Sequence, residues 1–270
     1  GVQTCALPIW AALAWFIVAE LRNPAPLLQI RLLAERNFGI SMAVLTLFAI
    51  GMLGGTYLLP LYMQRGLGYT ALAAGSMFLP VGVIQGVLSA VSGYLTRYVR
   101  PLLLSAAGIL IMALSFWLAS RFTLHTTHGH ILFILYLRGF GMGLTFAPLN
   151  LFSLKNLTQQ DMAAAAGISN SIKQLAGSIG IALLTVIFSA RTSYHAAHET
   201  VSAAQTYVEG VTDALRVVAV ITLAALLPLL GVFRKKRPGK SGVKGAATPS
   251  PGEAVSGKTD KTTIYRTKPE

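Results

Sequence analysis

The chain has 270 residues, 54% of them hydrophobic and 11% charged, with a mean hydropathy of +0.62; that composition leaves too little polar surface to cover a water-soluble globule of this size. Its net charge of +13 raises nucleic acid as a partner, but more than half of the excess sits in a C-terminal tail with no apolar period to build a folded basic face, so nucleic acid is excluded. The single cysteine, Cys5, leaves no disulfide to form.

In chain order, residues 1–9, GVQTCALPI, resemble a translated sequencing adapter and are expected to be an artefact. Residues 10–20 read as a truncated helix, because the apolar run Trp10 to Val18 is too short to cross a bilayer. A hydrocarbon core of about 30 Å needs roughly 20 helical residues. Six stretches meet that length, near 38–61, 71–95, 102–120, 131–154, 164–188 and 214–233. With backbone polar groups needing internal partners in lipid, these become helices, so the expected fold is all-α, a polytopic membrane helix bundle over residues 10–233. Residues 234–270 read as a disordered basic tail whose RKKR start rests on anionic lipid headgroups.

Lys and Arg near the helix ends set the orientation. Arg36, Arg97, Arg100, Lys155 and the cluster from Arg234 lie at one end of the spans, against Arg65, Arg121 and Arg191 at the other. The richer side is expected inside, which makes the C-terminus cytoplasmic in a multi-pass inner-membrane protein.

Inside the spans the glycines pair at helical spacing: Gly51 with Gly55, Gly82 with Gly86, Gly139 with Gly143, and Gly177 with Gly180 near them in role. Small faces let helices approach closely, and smooth ones let them rock. Two cations, Arg138 and Lys173, lie within the spans with no central carboxylate. Arg138 is expected to face the bundle interior, paired with a carboxylate or a helix C-terminus. Gln85, Asn150, Asn170 and Gln174, with Tyr62 and Gln64 at the outer end of the first span, are candidates for substrate binding or gating, or else bond between helices. The acids lie in loops, helix ends or the tail, Glu209 among the loop residues and Asp213 at the outer start of the last span.

The outer loop RFTLHTTHGH, with His125, His128 and His130, reads as solvated, and no metal or other cofactor is expected. His195 and His198 fall in an outer segment, Arg191 to Gly210, expected to be a partly helical cap. The run RGFGMG at Arg138 lacks the strand that a dinucleotide fingerprint needs. With no nucleophile set, P-loop or metal spacing in a span, catalysis is not expected.

Four stretches, FIVAELRNPAPLLQIRLLAERNFGIS, YLLPLYMQRGLGYTALAAGSMFLPVG, LRGFGMGLTFAPLN and AAAAGISNSIKQLAGSIGIALL, give the chain a resemblance to the C-terminal half of the 14-helix drug:proton antiporters of the major facilitator superfamily, the EmrB/QacA type. The resemblance implies a truncated helix 8 followed by helices 9 to 14. Most members carry Arg where this chain has Lys173, and the inner loop GYLTRYVR, with Gly93, Arg97 and Arg100, resembles the superfamily's gate-latching motif without its acid. The resemblance further implies amphipathic or hydrophobic small-molecule substrates, protons as the coupling ion with their carboxylates upstream, and a periplasmic adaptor and outer-membrane channel as partners. A narrower exporter, an importer, and a non-transporting membrane scaffold are the alternative functions.

Overall fold

A computed structural model describes residue 15 and residues 30–155, 157–198 and 202–235. These belong to the first of the two units into which the chain divides, Gly1–Lys235 and Lys236–Glu270. The adapter-like residues 1–9, the segment 10–20 apart from a helical Trp15, and the tail 236–270 lie outside the described residues.

Every long element among the described residues is a helix, and six are long and apolar enough to cross a membrane. Helix α1 (Arg36–Leu61) runs into a π turn, Tyr62–Gly66. Helix α2 occupies Ala71–Leu95 in two pieces, Ala71–Ser76 and Leu79–Leu95. Then come α3 (Pro101–Ala119), α4 (His128–Leu154) and α5 (Gln159–His198). Helix α6 (Ala203–Ala224) continues past Ala225 as α7 (Leu226–Lys235).

Prolines account for the interruptions. Pro80 withdraws the N–H that the Ser76 carbonyl needs, and Pro228 does the same to Ala224, so each helix breaks one turn earlier. Pro101, at the first turn of α3, starts a helix where no donor is required.

The last two spans extend beyond the apolar windows. Helix α5 continues past Phe188 to His198, and α6 begins at Ala203, well ahead of Ala214. At 40 residues, α5 is about 60 Å long, twice the hydrocarbon thickness. The segment read as a partly helical cap is therefore the distal ends of two spanning helices. Glu209, read as a loop residue, lies on α6.

Helix α1 packs on α5 and α6, α4 packs on α2 and α3, and α1 meets α4 while α3 meets α6. Exchanging α1, α2, α3 for α4, α5, α6 reproduces that pattern, apart from the additional pairing of α5 with α6. Since each set of three starts from the opposite end, these are inverted repeats, a common transporter construction.

Small residues mark where the repeats touch. A side chain on Gly180 would place its first carbon 2.5 Å from the Ile50 carbonyl oxygen, so α5 and α1 meet backbone to backbone. At Gly143 the same carbon would fall 3.0 Å from the Gln85 carbonyl, at the crossing of α4 and α2. Gly51, Gly55, Gly139 and Gly177 also lie against neighbouring helices. Gly82 and Gly86 differ: nothing lies within 4 Å of the space their side chains would fill. They sit on the open face of α2, which no described helix covers.

That open face has a counterpart. Only 17% of the apolar window of α2 and 22% of that of α5 is buried, against 61% for α1. Val83, Val87 and Val91 on α2, and Leu175, Ile179 and Leu183 on α5, are exposed, on the two helices that the inverted repeat relates to each other.

Candidate functional site

Arg138 projects from α4 into the bundle and is only 2% exposed. Its guanidinium donates to the Met52 carbonyl at 3.0 Å, to the Gly55 carbonyl at 3.4 Å and to the Thr56 hydroxyl, all on α1. Beneath it lies the ring of Phe116, 5.3 Å from the guanidinium carbon. Among the described residues its partners are helical carbonyls, which keep a lone pair after making their own helix bond, and not the carboxylate or helix C-terminus expected from the sequence. Gly55 permits this seat: a side chain there would collide with the Phe116 ring. Thr56 itself is exposed on α1, and its hydroxyl also donates to the Met52 carbonyl at 2.6 Å.

Lys173 lies one turn beyond Asn170 on α5. Together with Asn150 and Ser153 of α4 and Ser169 of α5, it lines a cavity of about 280 Å³ between α1, α4 and α5. Leu45, Phe146 and Leu154 supply apolar wall. The ammonium sits 5.9 Å from the centroid of Phe146, which in turn packs edge-on against the fully buried Phe48 at 5.5 Å. Ser153 donates to the Asn150 carbonyl and Ser169 to the Met42 sulfur. Among the described residues Lys173 forms no ion pair, and no acidic side chain lines the cavity.

The structure thus gathers Asn150, Asn170 and Lys173 and separates the other candidates from them. Gln174 is on the exposed face of α5, Gln85 is half-buried at the α2–α4 crossing, and Gln64 is exposed in the π turn. Tyr62 is fully buried at the far end of α1, its hydroxyl donating to the Thr123 carbonyl at 2.7 Å and its ring stacked on Phe122 at 4.9 Å. It pins the π turn to the α3–α4 loop rather than facing a cavity. In the loop after α2, Arg97 stacks on Tyr94 at 5.4 Å, and Arg97 and Arg100 are exposed. A hydrogen bond with Tyr94 raises the Tyr98 phenol above its ordinary pKa. His125, His128 and His130 are exposed, with His128 tilted against Tyr69 and His130 edge-on to Phe122.

Sequence reading missed one polar cluster. Where α5 and α6 project together, His195 lies between two carboxylates, 3.1 Å from Asp213 and 3.6 Å from Glu209, while Arg216 and Arg191 reach Asp213 at 2.9 and 3.9 Å. The available signal was periodic: Arg191 and His195, and Glu209 and Asp213, are each one turn apart, which puts each pair on one helix face.

Six apolar spans arranged as inverted repeats around one buried cation and one that lines a cavity define a multi-pass membrane protein of transporter type. The sequence matches the Major Facilitator Superfamily over residues 5–181, and the chain belongs to that family. It is 30% identical over 184 residues to an uncharacterized MFS-type transporter, YhcA, of Bacillus subtilis, covering 68% of this chain and 35% of that protein. It is 32% identical over 192 residues to the multidrug export protein EmrB of Escherichia coli, covering 71% and 38% respectively. To the fatty acid resistance protein FarB of Neisseria gonorrhoeae it is 28% identical over 194 residues, 72% of this chain and 38% of that one. The chain spans less than half the length of these relatives. Family membership makes it a membrane transporter segment rather than a member of an enzyme family.

Proposed function

We propose that the chain is the C-terminal half of a proton-coupled exporter of amphipathic or hydrophobic small molecules. The observation that carries this reading is the pair of symmetry-related open faces on α2 and α5 beside a polar cavity: two apolar faces await a partner, and substrate binds where halves of such a fold meet. EmrB, similar over 71% of the chain, supports efflux of varied compounds.

Alternating access follows from the same features. Backbone-to-backbone packing at Gly180 and Gly143 makes this half a rigid body, while the smooth face of Gly82 and Gly86 lets another half rock against it. The excess of Lys and Arg at Arg36, Arg97, Arg100 and Lys155 supports a cytoplasmic orientation for that side of the spans, in an inner membrane with the C-terminus inside. Protons are the coupling ion, and the carboxylates that carry them belong to the other half; a periplasmic adaptor and outer-membrane channel complete the export path. Tyr62 and Gln64 belong to the outer gate, Gln85 and Gln174 to the contact between halves, and Gly93, Arg97 and Arg100 to the inner one.

A narrower exporter is the second reading, favoured by the single cation in an otherwise neutral cavity. Growth of a drug-sensitive strain carrying the complete gene, on a panel of cationic, neutral and anionic amphiphiles, separates the two. Broad resistance supports the first reading; resistance to one chemical class supports the second; none at all with the protein in the membrane contradicts both.

A further inference from the structure

We propose that the cavity between α1, α4 and α5 is an anion subsite that takes the acidic headgroup of an amphipathic carboxylate, with Lys173 as its counter-ion and Asn150 and Asn170 as its hydrogen-bonding partners. This deepens the export reading and rests on it for the ligand's route, but not for its binding.

Three observations converge. A lysine at membrane depth is costly, roughly 3 kcal/mol at a helix centre, and is retained where it meets a partner or a polar cavity. Here the described residues supply a cavity and no acid: around the ammonium lie two carboxamides, two hydroxyls and an aromatic face. The hydroxyls are engaged within the chain, Ser153 to a carbonyl and Ser169 to a sulfur, while the side-chain amides of Asn150 and Asn170 make no hydrogen bond among the described residues and are exposed.

The charges on the neighbouring elements reinforce the sign. Arg36 at the start of α1 and Lys155 at the end of α4 are cationic. Of the acids nearby, Asp161 accepts a hydrogen bond from Thr158 in the first turn of α5, three turns from Lys173, and Glu35 is exposed ahead of α1. A carboxylate entering the cavity meets one ammonium and two amide donors, and its hydrocarbon lies along Phe146, Leu45 and Leu154. At about 280 Å³ the cavity is near the lower limit for a small-molecule site, about 300 Å³, which suits a headgroup and its first methylenes rather than a whole substrate. An anionic lipid headgroup shares this chemistry, so the test separates the two sources.

The complete protein, held in phosphatidylcholine nanodiscs at a pH where the acid is ionised, is titrated with radiolabelled dodecanoate, with dodecanol and dodecyltrimethylammonium as competitors. Dodecanoate is expected to bind. Lys173→Met should weaken it about tenfold or more, the size of a lost charge-assisted bond. Lys173→Arg should retain binding, and neither competitor should displace the acid at matched concentration. Bound dodecanoate should also protect Lys173 of the unmodified protein from acetylation, a readout that needs no variant. Unchanged affinity in Lys173→Met, equal competition by the cationic amphiphile, or absence of protection overturns the proposal. When phosphatidylglycerol is added to the nanodiscs, Lys173-dependent loss of dodecanoate assigns the anion to a lipid headgroup, and retention assigns it to a free acid; both outcomes support an anion subsite. A protein that transports substrate yet fails these binding tests keeps the export reading and loses this one.

Discussion

Among the described residues Arg138 is held by hydrogen bonds to neutral acceptors rather than by an opposite charge. Its fork spans the Met52 and Gly55 carbonyls and the Thr56 hydroxyl, an arrangement that a point-like ammonium cannot copy. Arg138→Lys is therefore expected to lower the thermal stability of the complete protein nearly as much as Arg138→Met, as differential scanning fluorimetry in detergent can check; full stability of the lysine variant would show that charge alone suffices. Burial of a cation on α4 was legible, because ILFILYL leaves it no route to water. Its partners were not, since they are backbone atoms of another helix that come within reach only where Gly55 admits Phe116. Likewise Asn150, Asn170 and Lys173 were each visible as polar residues within spans, but nothing in their spacing says that α4 and α5 bring them to one cavity while Gln174, next to Lys173, faces away.

The helices themselves were largely readable, because the bilayer imposes both length and helicity on an apolar run. What apolarity could not reveal is where α5 and α6 end, as their distal turns join the His195, Glu209 and Asp213 cluster to a small buried set, Val208 and Val211 with Tyr207 edge-on to Phe188, too short to read as a spanning run. Asp213→Ala is expected to speed hydrogen exchange in the distal turns of α5 and α6 while leaving the windows near 164–188 and 214–233 protected; unchanged exchange would mean that the hairpin stands without the cluster. The glycine pattern, too, was only half informative. Identical spacing marks Gly51 with Gly55, which touch Thr222 and Phe116, and Gly82 with Gly86, which meet nothing among the described residues, so the motif reports a smooth face and not what covers it. Gly180→Val should cost about 1–3 kcal/mol through overpacking against α1, read as a lowered midpoint of thermal unfolding. Gly86→Val should leave that midpoint in place and slow transport by the complete protein, since we propose that the face it roughens meets another half. Equal destabilisation by both would remove the distinction.

At the scale of the whole molecule, inverted repeats pack α1 and α4 at the centre and leave α2 and α5 open on related faces. Two open apolar faces among the described helices, one buried arginine and one cavity-lining lysine suit the proposed exporter half, in which the proton-carrying groups are proposed to lie outside this chain. The most direct measurement reconstitutes the complete protein in proteoliposomes with an imposed pH gradient and follows an internal pH-sensitive dye as amphipathic compounds are added. Dissipation of the gradient that depends on the compound, and that is abolished in Arg138→Met, is the expected result. A folded, membrane-inserted protein that moves no protons in response to any of the cationic, neutral and anionic amphiphiles would contradict the proposal of proton-coupled export.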